Sequence, residues 1–256
     1  MALFKLYLMI KVAVISYLNS LPFVYGLKQS NLFQEISLSI EYPSKIAERV
    51  IDNTADIALV PVVVLNQLKN YEIISDYCIG AESSVDSVCL YSFVPVDKID
   101  TIYLDYQSRT SVELLKLLLK DYWKLNPKLN ILDSDEDFKI KGRSAALVIG
   151  DRSFVLKGKY PYVYDLAEIW NKMTELPFVF ACWISTRKLP NRIIFEFNEA
   201  LKNGVANISQ AIQSEVLQDH QINYEDYLNK KISYAYDDMK KRAMKMFLER
   251  INSKFI

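Results

Sequence analysis

The tetrad Ser108-Arg109-Thr110-Ser111 stands between a short apolar run and an amphipathic stretch, and its residue types suit the capture of a small carboxylate. Thr101-Ile102-Tyr103-Leu104 reads as a strand and Asp105-Tyr106-Gln107 as its turn. Val112 to Trp123 reads as a helix with Val112, Leu115, Leu118, Leu119 and Tyr122 on one face. Hydroxyls and a guanidinium then crowd a helix N-terminus. Unpaired N–H groups and the helix dipole favour an anion there, and an Arg fork adds bidentate recognition. The same residues also suit a plainer role, with Ser108 or Thr110 capping the helix and Arg109 in solvent.

Other polar turns share this placement after a strand. Met9 to Ile15 reads as the first strand and runs into Ser16-Tyr17-Leu18-Asn19-Ser20-Leu21-Pro22. Pro22 marks the first turn of a helix, and Asn19 stands ahead of it. An amide there donates to a carboxylate or accepts from a hydroxyl, although turn geometry alone also selects asparagine. Ala55 to Val60 leads into Pro61, Glu82 to Val88 brings Ser84 and Ser87 ahead of a strand, and Leu147-Val148-Ile149 ends on Gly150-Asp151. A glycine at such a point lets a ligand approach the backbone. Polar turns converging at strand ends are how an α/β fold builds a site.

The alternation of elements supplies the scaffold for these turns. Strands at Lys11 to Ile15, Ser37 to Tyr42 and Ile57 to Val60 alternate with helices at Leu21 to Lys28, Pro43 to Asp52 and Val62 to Leu68. Repeated β-α-β predicts mixed, mostly parallel sheets with right-handed connections and a cleft at the carboxyl ends of the strands. A second unit follows Ser92-Phe93-Val94-Pro95, with strands at Thr101 to Leu104, Asn130 to Leu132 and Ala145 to Ile149. The aromatic run Phe178 to Ile184 then returns the chain to the first unit. The expected architecture is α/β with two lobes, residues 1–93 with 185–256 and residues 94–184, joined by two extended crossings. From Pro190 to Ile256 the chain reads as wholly helical, with Glu196 to Ala211 and Tyr236 to Ile251 the clearest helices.

Composition removes several function classes. In 256 residues, 31 basic and 31 acidic side chains cancel, so a nucleic-acid partner is not expected and an anion must be captured by a few placed groups. Cys78, Cys89 and Cys182 are far apart in apolar runs and read as reduced core residues; with His220 as the one histidine, no metal site is expected. His220 itself, in Asp219-His220-Gln221, reads as solvated or capping. The apolar Met1 to Ile15 contains Lys5 and Lys11 and is not followed by a small-residue cleavage site, so neither an export signal nor a membrane span is expected, and Met1 to Leu8 reads as an extension. The 17 Tyr and 12 Phe read mainly as core, Tyr103, Tyr122 and Phe197 among them, with Tyr17 and Trp183 as the two candidates for ligand contact. Lys240-Lys241-Arg242 reads as a solvated helix face.

Together these segments resemble the MqnA/MqnD family of menaquinone-biosynthesis enzymes, built on a two-lobed type 2 periplasmic-binding-protein-like fold. The resemblance runs in order through Ser16 to Pro22, Ala55 to Val62, Ser87 to Ser92, Asp105 to Leu118, Ala145 to Asp151, and Tyr164-Asp165-Leu166 through Trp170 to Ala181. It points to the MqnA branch, the chorismate dehydratases. It implies a cytoplasmic lyase that needs no cofactor and converts chorismate to 3-(1-carboxyvinyloxy)benzoate and water, the opening step of the futalosine route. A dianionic substrate needs carboxylate clamps, for which Arg109, Thr110 and Ser111 face Ser84 and Ser87, with Gly150 and Asp151 beside them. Losing the ring hydroxyl and the neighbouring hydrogen makes the ring aromatic, so a strong enzymic base is unnecessary. The substrate's own side-chain carboxylate then takes the proton while Asn19 acts as the catalytic residue, binding the departing hydroxyl or fixing that carboxylate. Asp151 competes as an acid or base. The sister branch, which cleaves a later intermediate to dihydroxynaphthoate, implies a histidine where this chain has Gly150-Asp151. A binding module of the same fold, closing around a small carboxylate without reacting it, is the non-enzymatic alternative.

Overall fold

A computed structural model of the protein describes residues 9–132, 140–215 and 222–252; the expected extension Met1 to Leu8 lies outside them, as does His220. The chain opens with strand β1 (Ile10–Ile15), helix α1 (Leu21–Gln29), strand β2 (Ile36–Glu41), helix α2 (Pro43–Ile51) and strand β3 (Ile57–Pro61). Buried strands read as unbroken apolar runs, and β3 is buried at every position. Val62–Gln67 forms a 3-10 turn rather than the expected α-helix, as three consecutive β-branched valines disfavour one. Strands β4 (Glu72–Ala81), β5 (Val88–Ser92) and β6 (Thr101–Leu104) follow, then helix α3 (Thr110–Leu118), strands β7 (Lys128–Ile131) and β8 (Ser144–Ile149), and helix α4 (Arg152–Val155). After these come strand β9 (Tyr162–Asp165), helix α5 (Leu166–Thr174), strand β10 (Phe178–Ser185), helices α6 (Asn191–Ala206), α7 (Ile208–Gln213) and α8 (Tyr224–Asp226), strand β11 (Ser233–Ala235) and helix α9 (Asp238–Asn252).

Two sheets result, in the order β11-β4-β10-β3-β1-β2 and β7-β6-β8-β5-β9. β1 pairs in parallel with β2 and β3, and β6 with β7 and β8, as β-α-β units require. Antiparallel pairing enters where β10 slots between β3 and β4, where β5 meets β8 and β9, and where β11 closes the edge of β4. By sheet membership the chain changes lobes at residues 82–87 and again at 175–177. Both changes fall one strand before the 93 and 184 expected from sequence, because the wholly buried β5 pairs in the second sheet and β10 in the first. The C-terminal region is also not wholly helical: β11, three residues long, is an element that no helical periodicity announces.

The core joins both sheets through aromatic edges. Phe23 packs edge-on to Trp183, Trp183 to Phe197, and Phe178 to both Trp170 and Phe247, with centroid separations of 4.9–5.7 Å. Trp183 is therefore core and not a ligand contact, whereas Tyr122, expected in the core, is exposed. Helices α1 and α6 cross so closely that a Cβ on Gly26 would sit 2.0 Å from the Ala200 carbonyl oxygen, and one on Gly204 1.8 Å from that of Pro22. The three cysteines are buried and free. Lys240 corrects the sequence reading: it is 0% exposed, ion-paired to Glu82 at the end of β4 and to Asp237 at 3.2 Å. Only Lys241 and Arg242 of that run reach solvent.

Candidate functional site

Between the lobes lies a cleft enclosing about 520 Å³ of empty space, open solvent included. Its walls are the turns at the carboxyl ends of the strands. Tyr17 and Asn19 follow β1, Pro61 ends β3, Val85 and Ser87 come from the first crossing, Ser108 to Ser111 lead into α3, Gly150 follows β8, and Phe180 and Ala181 belong to β10.

The first polar wall is the start of α3. Ser108, Thr110 and Ser111 are buried, and no side chain caps the helix, so the capping role that the sequence also allowed is not the one adopted. The Thr110 hydroxyl instead donates across the lobes to the Phe180 carbonyl at 3.1 Å. Arg109 is half-buried at the cavity wall, and its guanidinium has no ion-pair or hydrogen-bond partner among the described residues. Uncapped first-turn amides beside a guanidinium without a hydrogen-bond partner among the described residues are donors of the kind that suits a carboxylate.

The second polar wall joins Asn19 to Ser87. The Tyr227 hydroxyl donates to Ser87 Oγ at 2.8 Å. The Tyr234 hydroxyl donates to the Asn19 carbonyl at 2.9 Å. Complete burial pushes the Tyr227 phenol far above its ordinary range, so it stays neutral and keeps its proton to donate.

Contacts between the lobes hold these walls together. Tyr17 donates to Gln107 Oε1 at 2.8 Å, and its ring packs against Gly150, where a Cβ would come within 2.7 Å of ring carbons. Gly150 also has φ +65°, a second reason for glycine. The Leu18 amide donates to both oxygens of Asp151, at 3.1 and 3.2 Å. Asp151 is an exposed residue overall, yet its carboxylate turns inward onto that amide, and burial pushes its pKa up to about 6. Asp165, the N-cap of α5, also anchors the first crossing. One oxygen accepts from Ala167 and Glu168 at 3.0 and 3.1 Å, the other from Val85 and Asp86 at 2.8 and 2.7 Å. That grip and a 3.0 Å ion pair to Lys231 hold Asp86 at φ +62°, which sets Ser87 into the cavity wall.

Of the residues singled out from sequence, Asn19, Ser87, Arg109, Thr110, Ser111 and Gly150 line the one cavity, and Tyr17 joins them. Ser84 and Asp151 do not. Ser84 Oγ accepts from Lys231 at 2.9 Å, because the crossing turns between 84 and 87, and Asp151 is drawn onto Leu18. Among the described residues no group of three or more His, Cys, Asp or Glu is placed to hold a metal ion. The sequence reading missed Tyr227 and Tyr234 as site residues. The stretch around them reads as helical from sequence; Tyr234 instead lies in β11, paired to β4, and Tyr227 opens the Tyr227–Lys231 turn just before it.

A family model described as menaquinone biosynthesis matches residues 10–253. The chorismate dehydratase of Thermus thermophilus is 26% identical over 202 residues, 72% of this chain and 74% of that protein. A crystal structure of an Archaeoglobus fulgidus protein superimposes with a TM-score of 0.74 at 17% identity, covering 98% of each chain. A Candida albicans gene product, described as exhibiting the generic periplasmic-binding-protein fold, superimposes with a TM-score of 0.59 at 12% identity, covering 96% of this chain and 90% of its own. At these identities the structures speak for the fold alone, and they match the two-lobed architecture expected from sequence.

Proposed function

The chain belongs to the menaquinone-biosynthesis family, and from that premise we propose that it is a chorismate dehydratase, a carbon–oxygen lyase of the cytoplasm acting on a small dianion. The observation that carries the reading is the shared cavity. Arg109, without a hydrogen-bond or ion-pair partner among the described residues, stands at an uncapped helix start and forms one wall, and the Asn19 and Ser87 turns form another. Among the described residues no helix is long and apolar enough to cross a membrane.

Arg109 and the first amides of α3 take one carboxylate of chorismate, with Ser111 as a further donor. The remaining carboxylate, on the enolpyruvyl side chain, removes the proton from the ring carbon bearing the ether. The neighbouring hydroxyl departs, the ring becomes aromatic, and water is the second product. Asn19 donates to the departing hydroxyl, where negative charge builds up. Incubation of purified protein with chorismate should replace the absorbance of chorismate with that of a substituted benzoate. Tight binding without conversion would instead support the binding module, and no binding would overturn both readings.

Asp151, the rival acid or base, serves as an interlobe latch in this reading. Asp151→Asn keeps an acceptor for the Leu18 amide, so turnover should stay within about threefold of wild type, under ~1 kcal/mol of transition-state stabilisation. Its stability signature is distinct. With a folded-state pKa of about 6 against an ordinary value near 4, the folded protein holds a proton that the unfolded chain has released. That contribution is present below about pH 4 and is lost as the pH rises through about 6. Urea unfolding of both proteins should therefore show the Asn variant gaining on wild type from about pH 4.5 to 7. A constant gap would remove Asp151 from this role.

A further inference from the structure

We infer that Tyr227 is a positioning residue for the dehydration: by donating to Ser87 Oγ it leaves the Ser87 proton free to point into the cavity and bond an oxygen of the bound substrate. The inference rests on the proposed activity and assigns a task to a residue 140 positions from its partner. A hydroxyl has one proton and two lone pairs. With the phenol on one lone pair of Ser87, the serine proton is not spent on Tyr227 and is free to donate, and Ser87, itself 1% exposed, lines the cavity.

The polarity of the chain is set from the far end. The phenol donates to Ser87 and Ser87 lines the cavity, so the order runs Tyr227, Ser87, cavity. In a buried network each bond polarises the next, which makes Ser87 a stronger donor than an isolated serine. The Tyr227 ring is fixed for this purpose, edge-on to Phe154 at 4.8 Å and 4% exposed.

Tyr227→Phe removes a single oxygen and keeps the ring packing. With chorismate as substrate, kcat should fall about tenfold while KM stays within about twofold, as expected for one neutral hydrogen bond that matters most in the transition state. In a Ser87→Ala background the same change should cost nothing further, since the group it acts through is gone. A tenfold loss that persists without Ser87, or no loss in the wild-type background, would overturn the inference. Should Tyr227→Phe fail to fold, 3-fluorotyrosine at position 227 preserves the shape and strengthens the donor. A shift in kcat supports the assignment, and an unchanged kcat overturns it. Failure of the proposed activity reads differently, as absence of conversion by the wild-type protein itself.

Discussion

Turnover of chorismate by the Asn19→Ala variant is expected to fall about 10³-fold while substrate binding weakens less than tenfold, the behaviour of a preorganised donor aimed at developing charge. Asn19 is half-buried in the turn after β1, and its backbone is held by the Tyr234 hydroxyl, so its amide is oriented before substrate arrives. Such a donor has no reorganisation to undergo when the carbon–oxygen bond breaks. Binding of the ground state depends mostly on the carboxylate end, which the substitution leaves intact. Steady-state assays following the benzoate product, with calorimetric titration of chorismate into the variant, separate the two quantities. Retention of kcat would remove Asn19 from the reaction, and equal losses in binding and turnover would make it a binding residue only.

Arg109→Met should give the opposite split, with KM raised about 10²-fold and kcat changed little, because a charged hydrogen-bonded pair to a carboxylate contributes about 1.5–3 kcal/mol. Among the described residues the guanidinium has no ion pair, and the Glu48 carboxyl that feels its charge is fully exposed, so its removal leaves stability nearly unaltered. Arg109→Lys should recover only part of the loss, since an ammonium supplies charge without the planar fork. Raising the salt concentration should narrow the gap between wild type and the Met variant. A KM equal to that of wild type would place the substrate carboxylates elsewhere in the cavity.

The legible parts of the molecule are those written locally. β1, β2 and β3 with their intervening helices follow from apolar runs and Pro punctuation, and the Ser108 to Ser111 turn stands where a strand ends and a helix starts. These rules see only neighbours in sequence. Ser87 and Tyr227 lie 140 residues apart, and nothing near either position announces the other. Lys240 sits among charged neighbours and reads as solvated, yet the end of β4 draws its ammonium to Glu82. Ser84 and Ser87 are alike in composition and context. Asp165 separates their fates by gripping the Val85 and Asp86 amides and turning the chain between them. α3 gives way to a π-type turn at Leu119–Trp123, and Tyr122 leaves the face that its spacing assigned to it. Side chains whose direction is set by distant backbone are the ones that periodicity misplaces.

The insertion of β10 between β3 and β4 carries a consequence for biosynthesis of the polypeptide itself. A nascent chain emerging from the ribosome has made all five strands of the second sheet by residue 165, from one contiguous stretch. The first sheet at that moment still lacks its middle strand, which is finished at residue 185. The middle of the molecule thus closes before its beginning, and β3 and β4, buried strands with no partner between them, wait longest for cover during translation.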